Sequence, residues 1–418
     1  MTETKKDIER SLPKDWRWAK LGEVAAYLNG RAFKPTEWKE EGKPIIRIQN
    51  LNKPTAKYNY TSELFEDKYK VVKGDLLFAW SASLGAYIWK GDEAWLNQHI
   101  FKVVPKDFTN KSYLFYLLEK IVQELYAKAH GSGMVHVTKG VFEETIIPFP
   151  NKAIQQAIVS KIEELFSELD KGIENLRTAQ QQLKTYRQSV LKWAFEGRLT
   201  NENVKEGGLP KGWKNVSITE LAENKKHSLK AGPFGSSLKK EFYVEKGYKI
   251  YGQEQVISGD AFYGDYFVNE EKYQELASCK IKPFDILISL VGTVGKVLLL
   301  PETCQAGIIN PRLIKISLDR NVYSPKFFKY YFESSFVKSF YGAETRGTTM
   351  DVLNLGIIKT IPFPLCTIEE QNKIIQEIES RLSVADKMEE SITQSLQQAE
   401  GLRQSILKKA FEGRLIKN

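Results

Sequence analysis

The chain is 418 residues long, 42% hydrophobic and 27% charged, which excludes a disordered polymer and leaves room for two to four folded units. Its 61 basic and 52 acidic residues give a formal charge of +9 and a pI near 9.0, a balance that leans toward a polyanionic partner and fits equally well a solvated basic surface. Three cysteines (Cys279, Cys304, Cys366) and four histidines (His99, His130, His136, His227) at unrelated spacings exclude a disulfide framework and a zinc site, and fit a reducing cytoplasm.

The first residues hold no apolar core, so no signal peptide is expected. A Leu-Pro-Lys-Asp-Trp motif at 12–16 opens a β-rich region with short helices. Its alternating segment at 43–49 predicts a strand, and the run at 112–129, with Tyr113, Phe115 and Tyr116, predicts a helix whose aromatics pack in a core. Pro-Phe-Pro at 148–150 closes the region. From 153 to 194 the apolar residues Ile154, Ile158, Ile162, Leu165, Leu169, Ile173, Leu176, Leu183 and Val190 step by threes and fours, with Gln180 and Arg187 filling the seam. That is a coiled-coil pattern, free of proline and stopped by Gly197.

The same order then returns. Leu-Pro-Lys-Gly-Trp stands at 209–213, and the segment at 248–253 predicts a strand. The apolar stretch at 286–300 contains Lys296 and is too short to span a bilayer, so it reads as buried strands. A helix is expected at 325–341 with Phe327, Phe328 and Tyr331 inward. Pro-Phe-Pro recurs at 362–364, and a second long helix at 367–410 carries Ile374, Ile378, Leu382, Ala385, Met388, Ile392, Leu396, Ala399 and Ile406 before Gly413 stops it. The repeat spacing grows from 197 (12 to 209) through 210 (75 to 285) and 214 (148 to 362) to 216 (195 to 411). Insertions therefore accumulate in the β-rich parts while the helices keep register. A repeat of this size is a domain duplication.

These features predict an α+β architecture. Two β-rich globular domains, 1–150 and 201–366, stand in a pseudo-twofold arrangement, separated by long helices at 151–200 and 367–418 that form an antiparallel coiled coil. The alternative, each helix folded onto its own domain, leaves more apolar stripe than one small domain can cover. Trp16, Trp193, Trp213 and the Pro-Phe-Pro segments read as packing and linker elements, and Met134 and Met350 as core plugs.

Motifs for chemistry are missing from the sequence. Gly292 to Lys296 lacks the spacing and hydroxyl of a phosphate loop, and no G-x-G-x-x-G occurs. Asn310-Pro311-Arg312-Leu313 lacks the second proline and the aromatic of an adenine-methyltransferase motif, and Asp260 with Glu270, Glu271 and Lys272 is a chance-level nuclease pattern. No nucleophile elbow is present. Binding is expected, not catalysis, and no cofactor or metal is expected in this chain.

L-P-x-x-W, a variable β-rich region ending in P-F-P, and a long helix ending in A-F-x-G-x-L, all repeated once, resemble the specificity subunit of type I restriction–modification enzymes. The resemblance spans essentially the whole chain. It implies that each variable domain reads one half of a bipartite double-stranded DNA target, that the helices set the spacing and dock two methyltransferase subunits, and that endonuclease/translocase subunits join. S-adenosylmethionine would belong to the methyltransferase. A coiled-coil adaptor presenting two protein-binding domains is the alternative from another class; steeply salt-dependent DNA binding separates the two.

Groove readout needs amide and guanidinium groups, and phosphates take lysines and hydroxyls. The loops at matched places in the two halves supply Arg31, Lys34, Arg47, Gln49, Asn50, Ser81, Asn97, Gln98 and Ser132 in the first half. In the second they supply Ser236, Gln253, Gln255, Thr293, Asn310, Arg312, Arg346, Thr348 and Thr349. Ordinary turn chemistry or capping is the competing role for each. His99 suits a structural role better than base reading; the amides of Asn97 and Gln98 suit reading better.

Overall fold

The computed structural model describes residues 12–53, 55–81, 83–128, 138–201, 204, 208–291, 293–344 and 353–416. The chain divides into two compact units, Met1–Arg177 with Thr393–Asn418, and Thr178–Ile392. Each unit holds one β-rich region and parts of both long helices.

The first β-rich region runs β1 (Trp16–Lys20), α1 (Leu21–Val24), β2 (Ala25–Asn29), β3 (Lys43–Ile46), α2 (Ile48–Asn52), β4 (Asn59–Thr61), β5 (Lys70–Val71) and β6 (Leu76–Ala79). It continues with β7 (Gly85–Ile88), β8 (Ala94–Leu96), β9 (Ile100–Pro105), α3 (Lys111–Lys128), α4 (Lys139–Glu143) and β10 (Ile146–Pro150), and enters α5 (Lys152–Phe195). The second runs β11 (Lys214–Val216), α6 (Ile218–Leu221), β12 (Leu229–Ala231), β13 (Tyr243–Val244), β14 (Tyr248–Tyr251), α7 (Gln253–Ser258), β15 (Phe267–Val268) and α8 (Glu270–Glu275). Then come β16 (Ile286–Ser289), β17 (Val297–Leu299), β18 (Gly307–Ile309), β19 (Leu313–Ile316), α9 (Pro325–Phe332), α10 (Ser335–Glu344), α11 (Leu355–Thr360), β20 (Phe363–Leu365) and α12 (Ile368–Phe411).

Each unit contains the same three sheets. The first has β2-β9-β6-β7, β4-β3-β8-β5 and the pair β1-β10; the second has β12-β19-β16-β17, β13-β15-β14-β18 and the pair β11-β20. The strands β3–β8 and β14–β18 pair in parallel. β6 and β16 are buried on both faces because alternate residues serve two cores. Ile286 and Ile288 face the core that holds the helices, while Leu287 faces the second sheet. This accounts for the apolar stretch at 286–300, which folds as the hairpin β16–β17.

The long helices match the apolar periods at 153–194 and 367–410 to within a residue, ending before the 200 and 418 allotted to the helical segments, and at ~1.5 Å per residue each is about 66 Å long. In the first unit the start of α5 (Ile158, Ile162) and the end of α12 (Ile406, Ala410, Phe411) share one core, so these parts run antiparallel. The second unit repeats this with Val190, Ala194 and Phe195 of α5 against Ile374 and Ile378 of α12. Arg403 pairs with Asp170 in the first unit, and Arg187 pairs with Asp386 at 2.6 Å in the second. The helix ends thus pack both on each other and into the β-rich cores, which combines the two sequence alternatives.

Three expectations need correction. Met388 is 54% exposed; the seam passes through Glu389 instead, whose carboxylate meets Arg187 at 2.8 Å. A basic residue in the facing seam position draws an acid there in place of an apolar side chain. The helix expected at 325–341 is two helices, broken after Phe332. The strands expected at 43–49 and 248–253 stop at Ile46 and Tyr251, and α2 and α7 begin at once. Both long helices end on a left-handed glycine, Gly197 (φ 72°) and Gly413 (φ 69°). A Cβ there would lie 2.1 Å from Pro210 Cγ or 2.4 Å from Pro13 Cγ, so each helix end is pressed onto a Leu-Pro-x-x-Trp opening.

Candidate nucleic-acid interface

The ends of the parallel strand pairs define an equivalent edge in each unit. The Asn97 N–H donates to Ile46 O (3.1 Å), and the Asn310 N–H to Tyr251 O (2.9 Å). A glycine crosses tightly beside each asparagine. Gly30 N–H donates to Ile100 O and Gly232 N–H to Leu313 O, and a Cβ on either would lie 2.2 or 1.9 Å from the asparagine carbonyl. Helix starts match as well: Asn50 Oδ1 accepts from the Arg47 N–H (3.0 Å), and Gln255 Oε1 from the Gly252 N–H (2.7 Å).

Asn50 and Gln255 are therefore removed from the expected DNA-reading set. They are 2% and 0% exposed, and their amide groups are spent on Ala56 and Lys57 carbonyls and on the Tyr263 carbonyl. Burial with every hydrogen-bonding group satisfied makes them the pins of the loop.

In the first unit, Arg47, Gln49, Asn97 and Gln98 gather around one recess of about 340 Å³, which Phe33, Trp38, Ile48 and His99 complete. The Arg47 guanidinium lies 5.7 Å from the Trp38 ring centre and has no hydrogen bond or ion pair among the described residues. Gln49 and Gln98 are exposed and Asn97 half-buried. The aromatic walls Phe33 and Trp38 were not among the expected contact residues. The signal for them was their place in the same polar loop as Lys34.

Arg31 is engaged elsewhere. Its guanidinium bonds Glu37 at 2.6 Å and lies 4.1 Å from the Phe65 ring centre. That hydrogen bond, with one from the Lys34 N–H, holds the Glu37 carboxyl below its usual range. Arg31 thus braces the loop that carries exposed Lys34. Ser81 is half-buried after β6 and lies outside the recess.

In the second unit the same positions carry different chemistry. Gln253 donates to Ser289 Oγ (3.0 Å) and to Val291 O, and accepts from Arg312 Nη1 (3.3 Å). Asn310 Oδ1 accepts from the Arg312 N–H (2.9 Å). Arg312, Thr293 and Ser236 are exposed. By the matched frame, Arg47, Ile48 and Gln49 correspond to Gly252, Gln253 and Glu254, and Gln98 and His99 to Pro311 and Arg312. Ser132, Arg346, Thr348 and Thr349, with Met134 and Met350, lie outside the described residues.

A second feature lies away from these edges. Phe115, Tyr116, Glu119, Glu163, Phe166 and Asp170 are among the residues lining a groove of about 610 Å³ in the first unit, with Arg403 at its side. Burial pushes the Glu119 carboxyl up. The repeat places Tyr330, Glu333, Glu379, Asp386 and Arg187 at the corresponding positions of the second unit, where Tyr330 Oη donates to Glu379 (3.4 Å). Here the two units kept the tyrosine, the three acids and the arginine, while Phe115 and Phe166 correspond to Lys329 and Leu382; the strand-end edges diverged further. Among the described residues no helix is long and apolar enough to cross a membrane.

The model for the type I restriction modification DNA specificity domain matches twice, at residues 13–177 and 210–398. The EcoBI specificity subunit of Escherichia coli is 27% identical over 97% of this chain and 87% of its own length. The MjaVIII specificity subunit of Methanocaldococcus jannaschii is 23% identical over 97% and 95%. Among solved structures, a chain of a type I R-M system superposes with a TM-score of 0.69 (19% identity, 97% of this chain and 100% of that one). The HsdS subunit from Thermoanaerobacter tengcongensis superposes with 0.58 (20% identity, 97% and 99%).

Proposed function

The chain belongs to the type I restriction modification DNA specificity family, and from that premise we propose that each unit reads one half of a bipartite double-stranded DNA target through its strand-end edge. One observation carries this reading: a matching backbone frame presents Arg47, Gln49 and Gln98 in the first unit but Arg312, braced by Gln253, in the second. A conserved frame with exchanged guanidinium and amide groups is what two readers of different sequences require. Phosphate contacts fall to exposed groups on the flanking loops, Lys34 in the first unit and Ser236 and Thr293 in the second.

The chain itself performs no chemistry in this reading. It directs two methyltransferase subunits, which bind S-adenosylmethionine, and the endonuclease subunits that join them. The tyrosine and acids of the first unit's groove, which recur at matched positions of the second unit, support two copies of one partner. A surface that must meet the same protein twice is held constant through a duplication, whereas a surface that meets different bases is not.

Methylome sequencing of cells expressing the chain with its methyltransferase tests the proposal. A split motif with a fixed gap is expected. Arg312→Ala should cost about 1–3 kcal/mol at one base pair and relax the half-site of the second unit alone. A contiguous motif, or equal loss at both half-sites, would refute it.

A further inference from the structure

Phe234 is 88% exposed, the most exposed of the large apolar side chains among the described residues. Its backbone is nonetheless fixed. Two residues before it, Gly232 N–H bonds Leu313 O (2.9 Å), and Gly232 is seated so closely on Asn310 that no Cβ would fit. Pro233 stiffens the approach. After the ring, the Ser237 N–H closes onto Phe234 O (2.8 Å). The loop therefore holds a bare phenyl ring beside the edge that carries Asn310 and Arg312.

The surroundings decide what such a ring meets. Lys240, exposed, and Lys239, also exposed and 3.6 Å from the Glu241 carboxylate, follow in the same stretch, and Ser236 lies between. Cations and a hydroxyl around an unsupported aromatic suit a phosphate backbone and a base stack. Of the other exposed aromatics of this unit, Phe262, Tyr263 and Tyr266 stand instead in a stretch with Asp260 and Asp265, which disfavours DNA. In the matching loop of the first unit the aromatic is not presented in this way: Phe33 packs edge-on to Phe65 at 5.3 Å, under Arg31.

We propose that Phe234 inserts between two base pairs at the half-site read by the second unit, unstacking one step there. This rests on the DNA-reading assignment above. It adds a specificity term that no hydrogen bond supplies, because the cost of opening a step depends on its sequence and is lowest at pyrimidine–purine steps. It also makes the two half-sites unequal, with deformation confined to one.

The test uses the chain assembled with its methyltransferase, on duplexes carrying the motif found by methylome sequencing. A 2-aminopurine is moved through each half-site, avoiding the methylated adenine. Wild type should brighten at one step of the second half-site only. Phe234→Ala should abolish that signal and weaken binding about 10-fold or more, with the salt slope unchanged because no phosphate contact is lost. Phe234→Trp should keep both signal and affinity. Alanine binding as tightly as wild type, or the signal persisting in Phe234→Ala, overturns the wedge while the bipartite reading stands. Failure of the wild-type complex to bind a bipartite duplex overturns both.

Discussion

Gln371 ties the start of α12 to the second β-rich region, and its removal should be among the costliest single changes in that unit. It is fully buried. Oε1 accepts from the Ser324 N–H (2.8 Å), and Nε2 donates to Val322 O (2.9 Å) and Cys366 O (3.0 Å). Gln371→Ala deletes three hydrogen bonds and leaves a donor and two acceptors without partners. At roughly 1–3 kcal/mol for each stranded group, and allowing partial relaxation, the expected loss is about 3–5 kcal/mol. Gln371→Glu should do no better, because a carboxylate can accept from Ser324 but cannot donate to two carbonyls. Gln155 makes the matching set in the first unit, to Asn110, Phe108 and Pro150. Amide hydrogen exchange followed by mass spectrometry gives a separate opening free energy for each unit, which a chain of two units requires. Gln371→Ala should loosen the second unit and spare β6 and β9; Gln155→Ala should do the reverse. A change below about 1 kcal/mol, or equal loosening of both units, would refute the idea that these amides pin helix to sheet.

Gly413→Ala should destabilise the first unit by about 1–3 kcal/mol, since it strains a left-handed residue and drives a methyl group into Pro13; thermal denaturation of the variant reads this. Asp285 is buried beside Ser317, and burial raises its carboxyl above the usual range. The folded state thus holds this proton more tightly than the unfolded chain, so this group's contribution favours folding at low pH and is lost as pH rises through the raised value. Asp285→Asn should remove that slope from a stability–pH profile, and an unchanged slope would refute the assignment. Inserting one heptad into α5 after Arg177 and one into α12 after Ile392 adds about 10 Å to each helix. Methylome mapping should then show the gap of the motif lengthened by up to about three base pairs with both half-sites unchanged; altered half-sites at constant gap would count against the ruler.

Much of the fold was legible because duplication and periodicity are long-range signals. The two 44-residue helices and their glycine stops could be read from spacing alone. What was hidden depends on partners far away in sequence. Met388 has the right residue type for a seam, but the register is set by Arg187, 202 positions from the Glu389 it bonds. Asn50 and Gln255 look like readers because amides serve both bases and backbone, and only burial separates the two uses. Arg31 reads as a DNA contact from its loop; Glu37 and Phe65, which claim it, carry nothing in the sequence that ties them to it. Exposure of Phe234 left no sequence signal, since an aromatic near glycine and proline is as often tucked in as presented.

The matched polar pins explain how the edges can differ so much over one frame. Lys102 pairs with Asp75 at 2.9 Å and caps Lys70 O in the first unit; Lys315 caps Lys280 O in the second, with Asp285 close by. Gly30 and Gly232, Asn97 and Asn310, and Gln155 and Gln371 recur as well. These groups fix the backbone from beneath, through bonds that involve none of the proposed reading side chains except the asparagines. Arg47, Gln49, Gln98 and Arg312 then project from strand ends whose geometry does not depend on them. Exchanging such a side chain costs little stability, because surface changes away from a cap or core are close to neutral. If Arg47, Gln49, Gln98 and Arg312 read bases as proposed, specificity in this chain can be rewritten one half-site at a time, and the energetic constraint falls on the pins and not on the readers.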